Sequence, residues 1–197
     1  MINPTIQKDW RQKLPMWITM SRIFFAIPIL VLMSLEGLTL RGISCLLFMI
    51  ASITDYYDGY FARKYNATSN MGKFMDPVAD KILVSAILIM LVVNKLIDPY
   101  MVVLIITRDT LIGGLRSVAA ADQIVIDAKP VGKWKTALQM TAIPFLILGP
   151  EAWNSHTPQF PLHHWAYLVL WVSTALSLTS GWDYYQGYLK ALALKKG

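Results

Sequence analysis

Charge is scarce in this sequence: only 15% of its 197 residues are Asp, Glu, Lys or Arg, where soluble globular domains carry roughly a quarter. Together with a mean hydropathy of +0.46, that shortage excludes an ordinary water-soluble domain and makes the lipid bilayer the expected solvent. Cysteine is nearly absent. Cys45 stands alone, which excludes an intrachain disulfide and leaves the redox compartment unmarked. Long polar stretches are missing too, so no second soluble domain is expected. The first apolar run carries Arg22 and lacks a small-residue cleavage site, which argues for a retained first helix rather than a cleaved leader.

What the sequence has instead is apolar runs, over residues 17–35, 43–62, 78–97, 99–121, 134–150 and 164–189. Each is close to the roughly 20 residues that span a bilayer as a helix. Backbone polar groups in lipid must be satisfied within the segment, so the expected architecture is all-α: an integral membrane protein of six transmembrane helices. One domain over residues 1–197 is expected, with 1–13 as a juxtamembrane segment.

Lysine and arginine are distributed unevenly about these runs. Lys8, Arg11, Lys13, Arg63, Lys64, Lys73, Lys129, Lys133, Lys135, Lys190, Lys195 and Lys196 fall at one set of ends, against Arg41 and Lys95 at the other. By the positive-inside rule both termini and both basic loops are cytoplasmic. The net charge of +6 is read as this bias plus attraction to anionic lipid headgroups. Basic residues spaced between spans do not suit nucleic acid.

Acids concentrate where the second run ends and the third begins, in TDYYDGYFARKYNATSNMGKFMDPVADK. Asp55 with Asp58, and Asp76 with Asp80, have the three- and four-residue spacings that place side chains on one helical face. If the two helices pack as an antiparallel hairpin, the pairs face each other. Four converging carboxylates repel and raise one another's pKa unless a cation lies between them. Hard divalent ions prefer carboxylate oxygen and share their shell with phosphates, so Mg2+ or Mn2+, one ion or two, and phosphoryl or phosphatidyl transfer are expected. Gly59, Ala62 and Gly72 leave room for a bulky ligand beside the backbone, and Arg63 suits bidentate capture of a diphosphate. Each residue also has a plainer reading: Asp76 as a helix cap before Pro77, Asp80 paired with Lys81 or Lys73, Asp55 and Asp58 as solvated helix-end charges. Those readings must coincide four times over to explain the whole stretch.

The run D-x2-D-G-x2-A-R-x8-G-x3-D-x3-D, from Asp55 to Asp80, resembles the signature of the CDP-alcohol phosphotransferases at all eight positions. The resemblance implies a single catalytic domain that moves a phosphatidyl-type group from a CDP-linked lipid such as CDP-diacylglycerol to an alcohol and releases CMP. It implies that Asp55, Asp58 and Asp76 bind magnesium, that Asp80 contributes to a second ion and serves as general base, and that Gly59, Ala62 and Gly72 shape the cytidine site while Arg63 holds the diphosphate. A homodimer in a bacterial inner membrane, with its active site toward the cytoplasm, is the form expected by the same resemblance. A base is chemically necessary, because an alcohol is a poor nucleophile at neutral pH.

The acceptor is read from basic residues at membrane depth, where charge is expensive. Arg108, beside Asp109, and Arg116 lie in the fourth run, and Lys133 and Lys135 open the fifth. Such a set suits a phosphate carried by the acceptor. The plainer reading is an internal Arg108–Asp109 pair, with Arg116 snorkelling to the interface. The R-D and G-K-x-K-T elements resemble the branch of the family whose acceptor is glycerol 3-phosphate; inositol phosphate, or phosphatidylglycerol as in a cardiolipin synthase, is the alternative. The branch usually opens with P-N-x-L-T-x-x-R, and here Met16 replaces the asparagine. DYYQGY at 183–188 echoes DYYDGY at 55–60 but lacks the second acid, and is read as an interfacial aromatic belt. His156, His163 and His164 fall on the outward side. A cation-coupled transporter, the alternative of another class, needs ionisable groups along a whole path, whereas these collect at one surface.

Overall fold

In a computed structural model the described residues are 24–64, 70–122, 124, 131–150 and 162–196, with side chains described for 24–54, 81–122, 124, 132, 134–150 and 162–194. All regular structure among them is helical: α1 (24–34), then α2 (Leu38–Lys64), α3 (Asn70–Val93), α4 (Pro99–Ala121), α5 (Val131–Leu148) and α6 (Leu162–Lys196). Each helix overlaps one of the six apolar runs. Three helices reach well beyond their apolar runs: α2 starts at Leu38, α3 at Asn70, and α6 continues to Lys196, because polar and charged residues in those turns dilute the hydropathy while the backbone stays helical.

The chain groups into two compact units, Met1–Asn94 and Lys95–Gly197. In the first, buried residues recur at helical spacing: Ala26, Ile29 and Met33 on α1, Ser44, Cys45, Phe48 and Ala51 on α2, Leu83, Val84, Ile87, Leu88 and Leu91 on α3. That three- and four-residue recurrence is the inward stripe of a packed helix. Gly37, at φ +136°, turns the chain between α1 and α2 in a conformation that side chains resist. Asn94 ties the end of α3 to the end of α1, its Nδ2 donating to the Met33 carbonyl at 3.0 Å.

In the second unit α6 packs along α5 and against α4. Pro99 occupies the first turn of α4 after Asp98, where its missing N–H costs nothing. Asp98 makes no side-chain cap bond; its carboxylate accepts the Tyr167 hydroxyl of α6. Gly149, at φ +72°, closes α5 in the left-handed conformation typical of helix C-termini.

Polarity is distributed unusually for helices in water. The buried positions of α5 and α6 include Lys135, Gln139, Ser173, Thr174 and Ser177, while large apolar side chains stand outward on every helix, Phe24 at 74% exposure and Leu111 at 65% among them. No helix among the described residues is long and apolar enough to cross a membrane. In α4 the reason is Arg108, Asp109 and Arg116 within 23 residues; in α5 it is two lysines, a glutamine and Pro144 within 18.

Candidate functional site

The acid motif occupies two helices of the first unit. Asp55, Asp58, Gly59, Ala62 and Arg63 belong to α2, and Gly72, Asp76 and Asp80 to α3. Helical backbone at both pairs gives their three- and four-residue spacings the meaning expected of them. Their side chains lie outside the described ones, as does that of Lys133. One plainer reading is corrected: Asp76–Pro77 does not start a helix, since α3 begins at Asn70. Among the described residues no group of three or more His, Cys, Asp or Glu comes together to hold a metal.

The second unit brings together residues far apart in sequence. Arg108 and Asp109 come from α4, Lys135 from α5, and Ser173, Ser177 and Ser180 from α6. A single carboxylate oxygen, Oδ1 of Asp109, accepts from Arg108 Nη1 at 2.8 Å and from Lys135 Nζ at 2.6 Å. Lys135 Nζ also donates to Ser177 Oγ at 3.3 Å. The Arg108 guanidinium crosses α6, with Nε donating to the Ser177 carbonyl at 2.7 Å and Nη2 to Ser180 Oγ at 3.4 Å. Ser173 Oγ donates to the Lys135 backbone carbonyl at 2.7 Å, fixing α5 against α6.

Burial makes these charges matter. Arg108 and Lys135 side chains are 11% exposed and Asp109 is 23% exposed, so water screens them little and each needs a partner. The Arg108–Asp109 pair foreseen in the sequence is therefore present, but it is one edge of a three-helix cluster. Two cations against one carboxylate leave a formal excess of one positive charge, which suits an anion. Arg116 is placed differently: its guanidinium carbon lies 5.4 Å from the Tyr184 ring centre, a cation–π arrangement. Gln139, one turn beyond Lys135, is buried with Nε2 unpartnered among the described residues. His163 and His164, at the start of α6, meet edge to face at 6.0 Å and take no part in the cluster.

Sequence reasoning found Arg108 and Lys135 but missed Ser173, Ser177, Ser180 and Tyr184. The signal was present in α6, where 173, 177, 180 and 184 recur every three or four residues as polar positions in an apolar helix. Small neutral hydroxyls gave no chemical reason to single them out.

A family model described as CDP-alcohol phosphatidyltransferase matches residues 12–179. A protein of Mycoplasma pneumoniae named CDP-diacylglycerol–glycerol-3-phosphate 3-phosphatidyltransferase is 35% identical, covering 98% of this chain and 94% of its own length. A protein of Rickettsia bellii with the same name is 36% identical over 91% of this chain and 97% of its own. The Bacillus subtilis protein of that name is 44% identical over 75% and 74% respectively.

Proposed function

The chain belongs to the CDP-alcohol phosphatidyltransferase family, and from that premise we infer that it transfers the phosphatidyl group of CDP-diacylglycerol to glycerol 3-phosphate, giving phosphatidylglycerophosphate and CMP. The observation that carries the acceptor is the meeting of Arg108 and Lys135 on one oxygen of Asp109. A neutral alcohol gives two buried cations nothing to bind, whereas an acceptor phosphate meets them with opposite charge and several lone pairs.

The donor set of the motif fits hard divalent ions, because carboxylate oxygens on two helices are the ligands such ions select. Asp55, Asp58, Asp76 and Asp80 would hold Mg2+ or Mn2+, two ions in all, and the bound ions supply charge neutralisation for the diphosphate and the departing CMP. Asp80 takes the proton of the acceptor hydroxyl as its oxygen forms a bond to the phosphatidyl phosphorus. The bond from that phosphorus to the CMP oxygen breaks, and the electron pair leaves with CMP. Arg63 grips the diphosphate, and Gly59, Ala62 and Gly72 make room for the cytidine. Arg108 and Lys135, with Lys133, bind the acceptor phosphate, and Arg116, held over the Tyr184 ring, adds its charge from a distance. Positioning and electrostatics of this kind supply most of the acceleration in phosphoryl transfer.

The same reading sets the helices in a bacterial inner membrane, as one catalytic domain with termini and active site on the cytoplasmic side, acting as a homodimer among membrane lipids. Its support is the large apolar side chains exposed along α1, α2, α3, α4 and α6 combined with buried Ser, Thr, Gln and Lys on α5 and α6, the distribution of a protein whose solvent is lipid. The 35-residue α6 is about 52 Å long at 1.5 Å per residue, so it outruns a hydrocarbon core of about 30 Å and carries its last lysines to a headgroup surface.

Turnover by the purified protein in detergent, with CDP-diacylglycerol and magnesium, tests this. CMP and phosphatidylglycerophosphate are expected with glycerol 3-phosphate and not with inositol phosphate, serine or phosphatidylglycerol supplied separately. Release with another acceptor moves the ligand of the basic cluster; no release with any acceptor overturns the enzyme reading.

A further inference from the structure

A carbonyl in the middle of an α-helix is normally screened. Its own hydrogen bond is taken by the N–H four residues on, and the side chain of that later residue leans back toward the helix N-terminus and covers the same patch of surface. The Ser177 carbonyl in α6 is nonetheless reached from α4, by Arg108 Nε at 2.7 Å. The residue four positions on is Gly181. A Cβ built there would stand 3.0 Å from Arg108 Nε, 3.4 Å from Arg108 Cγ and 3.4 Å from Ile112 Cγ1. The first of these is tighter than ordinary van der Waals contact, so the Arg108 side chain would have to shift by a few tenths of an ångström, and it falls on the atom that makes the bond.

We propose that Gly181 is a positioning residue for acceptor binding: its missing side chain uncovers the Ser177 carbonyl, and the carbonyl anchors the Arg108 guanidinium in one orientation. The inference rests on the reading of Arg108 as an acceptor-phosphate ligand. The anchor fixes the rotation of the planar group, Ser180 Oγ and Asp109 Oδ1 hold its two ends, and two of its five N–H donors remain to meet an anion. Glycine in a helix interior is intrinsically worse than alanine; a Cβ at Gly42 or Gly114 would meet nothing within 4 Å and one at Gly132 only Ser180 Oγ at 3.5 Å, so the Arg108 side chain lying across Gly181 sets that position apart from those three helical glycines. Lys135 takes the Ser177 hydroxyl while Arg108 takes the Ser177 carbonyl, so one residue of α6 sets the spacing of both cations.

The test is steady-state CMP release by the full-length protein in detergent, varying glycerol 3-phosphate and CDP-diacylglycerol in turn, for G181A, R108K and the double variant. Displacing a charged hydrogen bond raises the acceptor KM on the order of tenfold in G181A, with the KM for CDP-diacylglycerol unchanged. Lysine carries a methylene where Arg108 has Nε, so R108K has no bond at that position to the Ser177 carbonyl for the new methyl to displace, and adding G181A to R108K is expected to change the acceptor KM by less than about twofold. A raised acceptor KM in R108K with none in G181A overturns the positioning role and leaves the acceptor reading standing. An unchanged acceptor KM in R108K removes that reading and the inference together. If G181A fails to fold, the double variant decides: an added loss beyond that of R108K means the glycine serves packing alone, and no added loss means Arg108 is what it accommodates.

Discussion

The two polar regions of this chain solve opposite electrostatic problems. On the proposed reading, the four acids at helical spacing on α2 and α3 form a group of like charges that calls for a cation supplied from outside. The cluster of α4, α5 and α6 mixes signs. Arg108, Lys135 and Asp109 pair with one another directly, with Ser177 and Ser180 taking further donors. On that reading one region is completed by an ion, and the other stands ready before its ligand arrives. The contrast teaches why a transferase of charged lipids needs both: a leaving diphosphate calls for strong countercharge, whereas an acceptor phosphate must be bound and later released as part of a product, which suits a single excess charge.

The sharpest break in the comparison is at Asp80. D80N is expected to cut CMP release by about 10²–10⁴-fold, the usual contribution of a general base, while binding of CDP-diacylglycerol is retained; near-normal turnover in that variant removes Asp80 from the base role. Chelation comes next. EDTA is expected to abolish CMP release with every acceptor, and Mg2+ or Mn2+ to restore it, because the ions belong to the acid region alone. Activity that survives exhaustive chelation refutes the metal assignment.

These two regions were not equally legible. The acid motif could be read because its meaning is local: fixed spacings on two consecutive helices, at eight positions within 26 residues, pointed to the family that the relatives then bore out. The cluster joins positions 108, 135 and 177, which no spacing connects, and only the packing of α6 on α4 and α5 assembles it. Its charged members were found because charge in an apolar helix is conspicuous. Ser177, Ser180 and Gly181 escaped because small neutral residues are common in packed helices for reasons unrelated to a site. Helix positions followed from the apolar runs, but the starts of α2 and α3 and the end of α6 did not, since polar and charged residues there lower the hydropathy while the backbone stays helical.

A variant of Asp109 sharpens the other side of the comparison. D109A leaves Arg108 and Lys135 buried beside each other without the carboxylate they share, and a cost of about 2–3 kcal/mol is expected, below the full penalty for breaking a buried pair because the site is partly open to solvent. Thermal unfolding in detergent reads this directly. D109A with chelator present and absent is expected to lose the same stability, since the cluster is compensated from within; a loss seen only with metal removed contradicts the separation of the two regions.

The smallest effect concerns Arg116, which separates charge in the right helix from charge in the right place. R108Q is expected to raise the acceptor KM on the order of a hundredfold, as truncating one partner of a buried hydrogen-bonded charge pair does. Arg116 lies over the Tyr184 ring, an arrangement worth about 0.5–1 kcal/mol where it is open to solvent, so Y184L is expected to lower stability by no more than that. R116Q is expected to raise the acceptor KM by only about threefold, the long-range part of its charge, and that remainder should vanish in high salt while the effect of R108Q persists. Equal losses in R108Q and R116Q, both insensitive to salt, would place Arg116 directly on the acceptor phosphate and make Tyr184 the residue that holds it there.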